Sequence, residues 1–176
     1  MTRNLGSTEL KRLHREWRRL ANSRLGLILD SVATPANVGS ILRTAAALRV
    51  DEIWVCGQSA TPELGATRKT ALGSERFLNF HYVESPVEAI ANATKSGYRV
   101  IGIELAENAK ALHEMDLSGD ICLVLGHEDR GLSKPTLEAL NAFAFIPQLG
   151  KIGSLNVATA AGMALYEVRR QGWPKS

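Results

Sequence analysis

Asn37, Gly39 and Arg43 follow one another as Asn-x-Gly-x-x-x-Arg, a pattern that opens a helix and sets a cation one turn further in, amid small and apolar neighbours. The free N–H groups of such a helix start face the ligand side of an α/β sheet. A cation there wants an anion, and a substrate phosphate or a carboxylate such as Asp30 satisfies it equally well. A second pattern runs Leu125-Gly126-His127-Glu128-Asp129-Arg130-Gly131. Glycines at both ends of a tight turn allow backbone amides and carbonyls to come close to a bound molecule, which suits an adenosine edge as well as it suits structure. Adjacent acids point apart, so one of Glu128 and Asp129 is expected to hold the loop and the other to face water; a paired acid and base is the alternative. The third pattern starts at Ile146-Pro147-Gln148, passes a Gly-Lys-Ile-Gly loop and enters a helix through Ser154-Leu155-Asn156-Val157. Ala158, Ala160, Ala161, Gly162 and Ala164 predict close packing of that helix. Packing does not explain Ser154 and Asn156 at its mouth.

These segments need a scaffold, and the hydrophobic pattern supplies one. Short apolar runs at Arg24–Leu29, Ile53–Cys56, Phe80–Val83, Arg99–Ile103, Ile121–Leu125 and Ala144–Ile146 read as strands. Helical spacing separates them, at about Val38–Leu48, Pro86–Lys95 after Ser85, Pro135–Leu140 and Val157–Arg170, with one or two short helices in Glu63–Phe77. Continuously apolar strands alternating with helices predict parallel pairing with both faces covered, hence an α/β sandwich. In such folds ligands sit beyond the carboxyl ends of the strands, which is where the three patterns fall.

At 176 residues, with 45% hydrophobic and 22% charged residues, the chain has the composition of one packed domain. Its net charge of +3 is uneven. Residues 1–24 hold seven Lys and Arg against two Glu, leaving 14 basic and 16 acidic residues elsewhere. Within this arm Leu10, Leu13, Trp17 and Leu20 form one stripe, and Lys11, Arg12, Arg15, Arg18 and Arg19 take the other faces, with Ser7 or Thr8 as the expected N-cap. Such a helix serves as a docking element, as a phosphate-binding one or, less readily, on an anionic membrane surface; charge alone does not decide. No apolar run is long enough for a membrane span, and no export signal is read, so a cytoplasmic setting without membrane contact is expected. Cys56 and Cys122 lie in strands and are expected to be reduced and packed. The dinucleotide and P-loop glycine motifs are absent, and His14, His81, His113 and His127 have no second ligand at metal spacing, so no metal is expected.

Taken in order, Asn37-x-Gly39-x-x-x-Arg43-x-Ala45, Leu125-Gly126-x-Glu128-x-x-Gly131-Leu132, and Ile146-Pro147 through Ser154-Leu155-Asn156-Val157-Ala158 resemble the three motifs of the SpoU/TrmH family of RNA 2′-O-ribose methyltransferases, within the SPOUT superfamily. The resemblance covers roughly residues 24 to 170. It implies a parallel-sheet α/β fold with a deep C-terminal trefoil knot over residues 24–176, after a basic arm at 1–23. It implies S-adenosylmethionine contacted by Leu125, Gly126, His127, Glu128, Gly131, Ile146, Pro147, Gln148, Ser154, Leu155, Asn156 and Val157. It implies a homodimer with its active sites at the interface, Arg43 acting on the ribose hydroxyl, Asn37 and Glu128 orienting it, and Ser154 and Asn156 positioning substrate. Members often carry an extra substrate-binding domain ahead of the catalytic one; here only the arm precedes the first strand, so the arm and Arg68 and Lys69 are the expected RNA contacts. The Lys69–Glu75 run looks like that of the transfer-RNA guanosine-18 enzymes and puts tRNA ahead of rRNA as the expected substrate.

Overall fold

The structure is a computed structural model describing residues 2–174; Met1, Lys175 and Ser176, the outer ends of the two expected segments, lie outside the described residues. Seven strands, β1 (Leu25–Asp30), β2 (Glu52–Cys56), β3 (Phe80–Val83), β4 (Arg99–Ile103), β5 (Lys110–Ala111), β6 (Ile121–Leu125) and β7 (Phe143–Phe145), form one sheet in the order β3-β2-β1-β6-β4-β7-β5. Every pair is parallel. The helices are α1 (Ser7–Arg19), α2 (Pro35–Ala47), α3 (Gly65–Ala71), α4 (Pro86–Lys95), α5 (Lys134–Ala139) and α6 (Val157–Gly172).

Alternation along the strands divides the core in two. Leu25, Leu27 and Leu29 of β1 meet Val38, Ile41 and Leu42 of α2 and Ala161, Ala164 and Leu165 of α6. Ile28 points the other way, to Trp54, Cys122 and Val124 under Ala89, Ile90 and Ala93 of α4. Both faces are dry, which is why β1 and β6 read as unbroken apolar runs. Cys56 and Cys122 are free and buried. Burial, with the Asp30 charge adding to it, pushes the Cys56 thiol up to about 12.

Several boundaries moved. The second helix starts at Pro35, not Val38: proline suits a first helical position, where no N–H is needed and φ is already set. The last strand is Phe143–Phe145 rather than Ala144–Ile146. Two-residue β5, held only by β7, has no periodicity to announce it. The N-cap of α1 is Gly6, because Glu9 accepts the Gly6 N–H at 2.8 Å, in place of Ser7 or Thr8. No residue of α1 is buried; its far end touches the body where Trp17 meets Trp173 edge-on at 4.9 Å.

Arg169, read from sequence only as part of the last helix, is 4% exposed. Its guanidinium donates to the carbonyls of Leu48 and Ser23 at 2.8 Å each and to that of Arg49, and lies 3.7 Å from Asp51. One side chain thus ties α6 to the end of α2 and to the chain entering β1.

Candidate active site

Glu128, Asn37 and Asn156, one from each sequence pattern, are joined in a row. Asn37 Nδ2 donates to Glu128 Oε1 at 3.0 Å, and Asn156 Nδ2 donates to Asn37 Oδ1 at 3.0 Å. The free oxygen of Asn156 caps α6, accepting from the N–H groups of Ala158 (2.9 Å) and Thr159 (3.2 Å). Glu128 also accepts from the backbone N–H of Ala33 (3.1 Å) and Thr34 (2.9 Å), which lead into α2. Burial alone would raise the Glu128 carboxyl, but the hydrogen bonds from Asn37 and the backbone outweigh it and hold it down at about 2. Glu128 is therefore the acid that holds the loop, as an anion, and Asp129 is the exposed one, at the rim of the same turn.

The turn after β6 is closed by reciprocal backbone bonds between His127 and Gly131, 2.9 Å each way. Its two glycines are required. A Cβ on Gly126 would come within 2.2 Å of the Gly131 carbonyl carbon, and Gly131 has φ +67° with a Cβ position 2.2 Å from Glu104 Oε2. Glu104, directly after β4, clamps the turn from below by accepting from Leu132 N at 2.9 Å and Leu105 N at 3.1 Å.

Between this turn, the end of β4 and the 146–155 loop lies a cleft of about 790 Å³, within the range of small-molecule sites. Of the residues expected at a cofactor, Leu125, Gly126, His127, Glu128, Gly131, Ile146, Gln148, Ser154, Leu155 and Val157 line it. Pro147 does not, because it sits between two residues that face inward; Asn156 does not, because its amide is spent on Asn37 and the helix cap. The lining also includes Ile103, Glu104, Leu105, Asp129, Arg130, Phe145, Ile152, Gly153 and Ala160, which were not among the residues expected at a cofactor. Glu104 was findable: it is the first residue past a strand, on the edge where ligands bind. With apolar walls from Ile103, Leu125, Ile146 and Leu155 and backbone groups presented at two glycines, the cleft has the character of a nucleoside-type site.

Arg43 is not brought into this cleft; it is exposed on α2. Nor is it paired with Asp30. That carboxylate is buried and accepts from Ser133 N at 3.0 Å and Thr136 Oγ1 at 2.5 Å, and no ion pair joins it to Arg43 among the described residues. Lys11, Arg12, Arg15, Arg18, Arg19, Arg68 and Lys69 are all exposed. Among the described residues no group of three potential metal ligands occurs, and no helix is long and apolar enough to cross a membrane.

The profile of the SpoU rRNA methylase family matches residues 24–166, which contain all three patterns and the whole cleft. The chain belongs to that family. Its parallel α/β sandwich matches the SPOUT knot fold, as the resemblance implied. A 23S rRNA (guanosine-2′-O-)-methyltransferase from Acinetobacter baylyi is 36% identical over 146 residues, 82% of this chain and 59% of that enzyme. AviRb, a SpoU methyltransferase from Streptomyces viridochromogenes solved in complex with AdoMet, superposes with a TM-score of 0.76 at 29% identity, over 85% of this chain and 60% of that one. The TrmH/SpoU tRNA modifying enzyme of A. aeolicus gives a TM-score of 0.75 at 26% identity, over 92% of this chain and 83% of that one. The chain spans 56% to 60% of the length of the curated relatives it matches.

Proposed function

We propose that this SpoU-family chain is an S-adenosylmethionine-dependent RNA 2′-O-ribose methyltransferase. The observation that carries the reading is that three family motifs, far apart in sequence, are tied together by the Glu128–Asn37–Asn156 row beside one cleft, with Glu128 on its wall. Bound S-adenosylmethionine supplies an electrophilic methyl group to the attacking ribose oxygen. The chain's own part is to hold that cofactor with the Gly126–Gly131 turn and the Ile146, Gln148, Leu155 and Val157 wall, and to exclude water behind them. Ser154, exposed at the mouth, positions the substrate. Arg43 aids loss of the 2′-hydroxyl proton, with an RNA phosphate aligning its guanidinium, since methyl transfer needs the oxygen deprotonated as it attacks.

Arg43 lies off the cleft of its own chain, which supports a homodimer whose second copy completes the site. The deep knot belongs to the same proposal. It is supported by the placement of α6 on the opposite face of the sheet from α4 and α5, although only β7 and the 146–156 loop separate α5 from α6. The basic arm, 1–23, with Arg68 and Lys69, is proposed as the RNA-facing element of a cytoplasmic enzyme. Ribosomal RNA is the better supported substrate: the Acinetobacter rRNA enzyme is 36% identical, against 26% for the A. aeolicus tRNA enzyme. This reverses the preference drawn from Lys69–Glu75. Transfer RNA stays as a second reading because the A. aeolicus enzyme is matched over 83% of its length. Mapping of 2′-O-methylation at nucleotide resolution, in RNA from cells with and without the gene, decides between them: loss of one rRNA mark is expected, loss of a tRNA mark selects the second reading, and an unchanged map opposes both.

A further inference from the structure

The Gly126–Gly131 turn has a second cavity against it. This one, of about 460 Å³, opens at the carboxyl ends of β1, β2 and β6 and is lined by Ser31, Gln58, His127, Arg130, Ser133 and Lys134 among others. His127, Arg130 and Gly131 line both cavities, so the turn is a common wall. The second cavity differs from the cofactor cleft in chemistry, since Leu132 is its one apolar side chain. Its single carboxylate, Asp30, is 1% exposed and already accepts from Ser31 Oγ, Ser133 N and Thr136 Oγ1. What it offers a ligand is therefore positive and hydrogen-bond donating. Arg130 is exposed and has no carboxylate partner among the described residues, and Lys134 has only Glu138 at 3.8 Å, an exposed pair that holds it weakly. His127 Nδ1 accepts the Asp129 N–H at 3.1 Å, which leaves Nε2 as the donor of the neutral ring.

We infer that this cavity is an RNA-phosphate subsite: Arg130 and Lys134 grip a phosphodiester of the substrate strand next to the nucleotide that receives the methyl group. The inference rests on the RNA methyltransferase reading. An arginine fork and a lysine point charge on one small polar cavity suit a phosphate oxygen cluster, and a strand gripped there runs along the same sheet edge as the cofactor cleft. Arg130 fills an unspecified position of the second motif and Lys134 lies beyond it, and both are far in sequence from the basic arm.

The test is the salt dependence of binding to a fluorescently labelled single-stranded RNA oligonucleotide of mixed sequence, read by anisotropy on the full chain. Arg130→Ala/Lys134→Ala is expected to bind several-fold more weakly, and its slope of log affinity against log salt is expected to fall by about 0.7 to 1.4, one to two phosphate contacts on a single strand. Arg130→Lys/Lys134→Arg keeps both charges and is expected to restore most of the slope, which separates a charge effect from a misfolded turn. Lys95→Ala/Lys110→Ala removes the same net charge from exposed positions away from the cavity and is expected to leave the slope near that of the parent. A double alanine variant with the parent slope, or a control that loses as much, overturns the subsite. Inorganic phosphate, added at constant ionic strength, tests the other source of the same chemistry: protection of Arg130 and Lys134 by free phosphate together with an unchanged RNA slope also overturns it. Failure of the underlying reading is distinct, because there the parent itself binds no RNA, or binds it and transfers no methyl group to it.

Discussion

Asn37 and Glu128, 91 positions apart, share a 3.0 Å hydrogen bond at the mouth of the cleft, and the carboxylate that accepts it is held at about 2. A group whose folded pKa lies below its ordinary value adds stability that is present above that ordinary value, near 4.5, and is lost as pH falls toward the folded one. Glu128 should therefore contribute on the order of 2 kcal/mol at neutral pH, reduced from the full shift by partial solvent screening. Urea unfolding followed from pH 6 down to pH 3 should show the parent losing this increment below about 4.5, with Glu128→Gln much flatter over the same window. Equal pH dependence in the two proteins would remove the carboxylate from the stability of the site.

Arg169→Met is expected to destabilise the fold by about 3 to 5 kcal/mol, because three carbonyls and Asp51 lose a buried donor at once. A shift of the urea midpoint with an unchanged slope checks it. The same experiment on Arg170→Met, whose guanidinium is half exposed and bound only to Glu167 on its own helix, should move the midpoint little.

Gly126→Ala puts a methyl group where the structure has 2.2 Å to the Gly131 carbonyl carbon. The turn must open, so S-adenosylmethionine affinity measured by calorimetry should fall at least tenfold while the sheet, judged by far-ultraviolet circular dichroism, stays formed. Parent-like affinity would mean the turn does not shape the cofactor cleft.

How much of this was legible beforehand follows from what each residue's role depends on. Parallel strands buried on both faces are written as apolar runs, so β1, β2, β4 and β6 and the placement of the loops after β1 and β6 are legible. That one acid of the Glu128–Asp129 pair holds the loop is legible too, since adjacent residues usually point apart, but which of the two does so comes only from the resemblance. The row joining Glu128, Asn37 and Asn156 is not legible, because each hydrogen bond spans 91 or 119 residues and no local pattern encodes it. Arg169 hid for a related reason: a buried arginine on an amphipathic helix looks like a solvated one until the carbonyls of Ser23, Leu48 and Arg49 are brought around it. The start of α2 is illegible for another reason, since Pro35 suits a loop as well as it suits the first residue of a helix. Glu104 was missed because it belongs to no motif.

Arg43→Ala is expected to slow the methyl-transfer step by roughly two or more orders of magnitude, the scale for loss of a positioned proton-transfer or charge-stabilising group. Single-turnover kinetics at saturating cofactor and RNA isolates that step. Sedimentation of the same sample must show the parent's oligomeric state, since a variant that dissociates would lose rate for another reason. A variant in the parent's assembly and within threefold of its rate would leave Arg43 outside the mechanism.

Methyl transfer to a ribose oxygen is measured by incubating the purified chain with methyl-labelled S-adenosylmethionine and unmodified RNA, digesting the RNA to nucleosides and separating them. Label is expected in a 2′-O-methylated nucleoside, and its rate of appearance is expected to fall by roughly two or more orders of magnitude with Arg43→Ala. Label on a base, or cofactor bound with no label transferred to either rRNA or tRNA, would contradict ribose methylation.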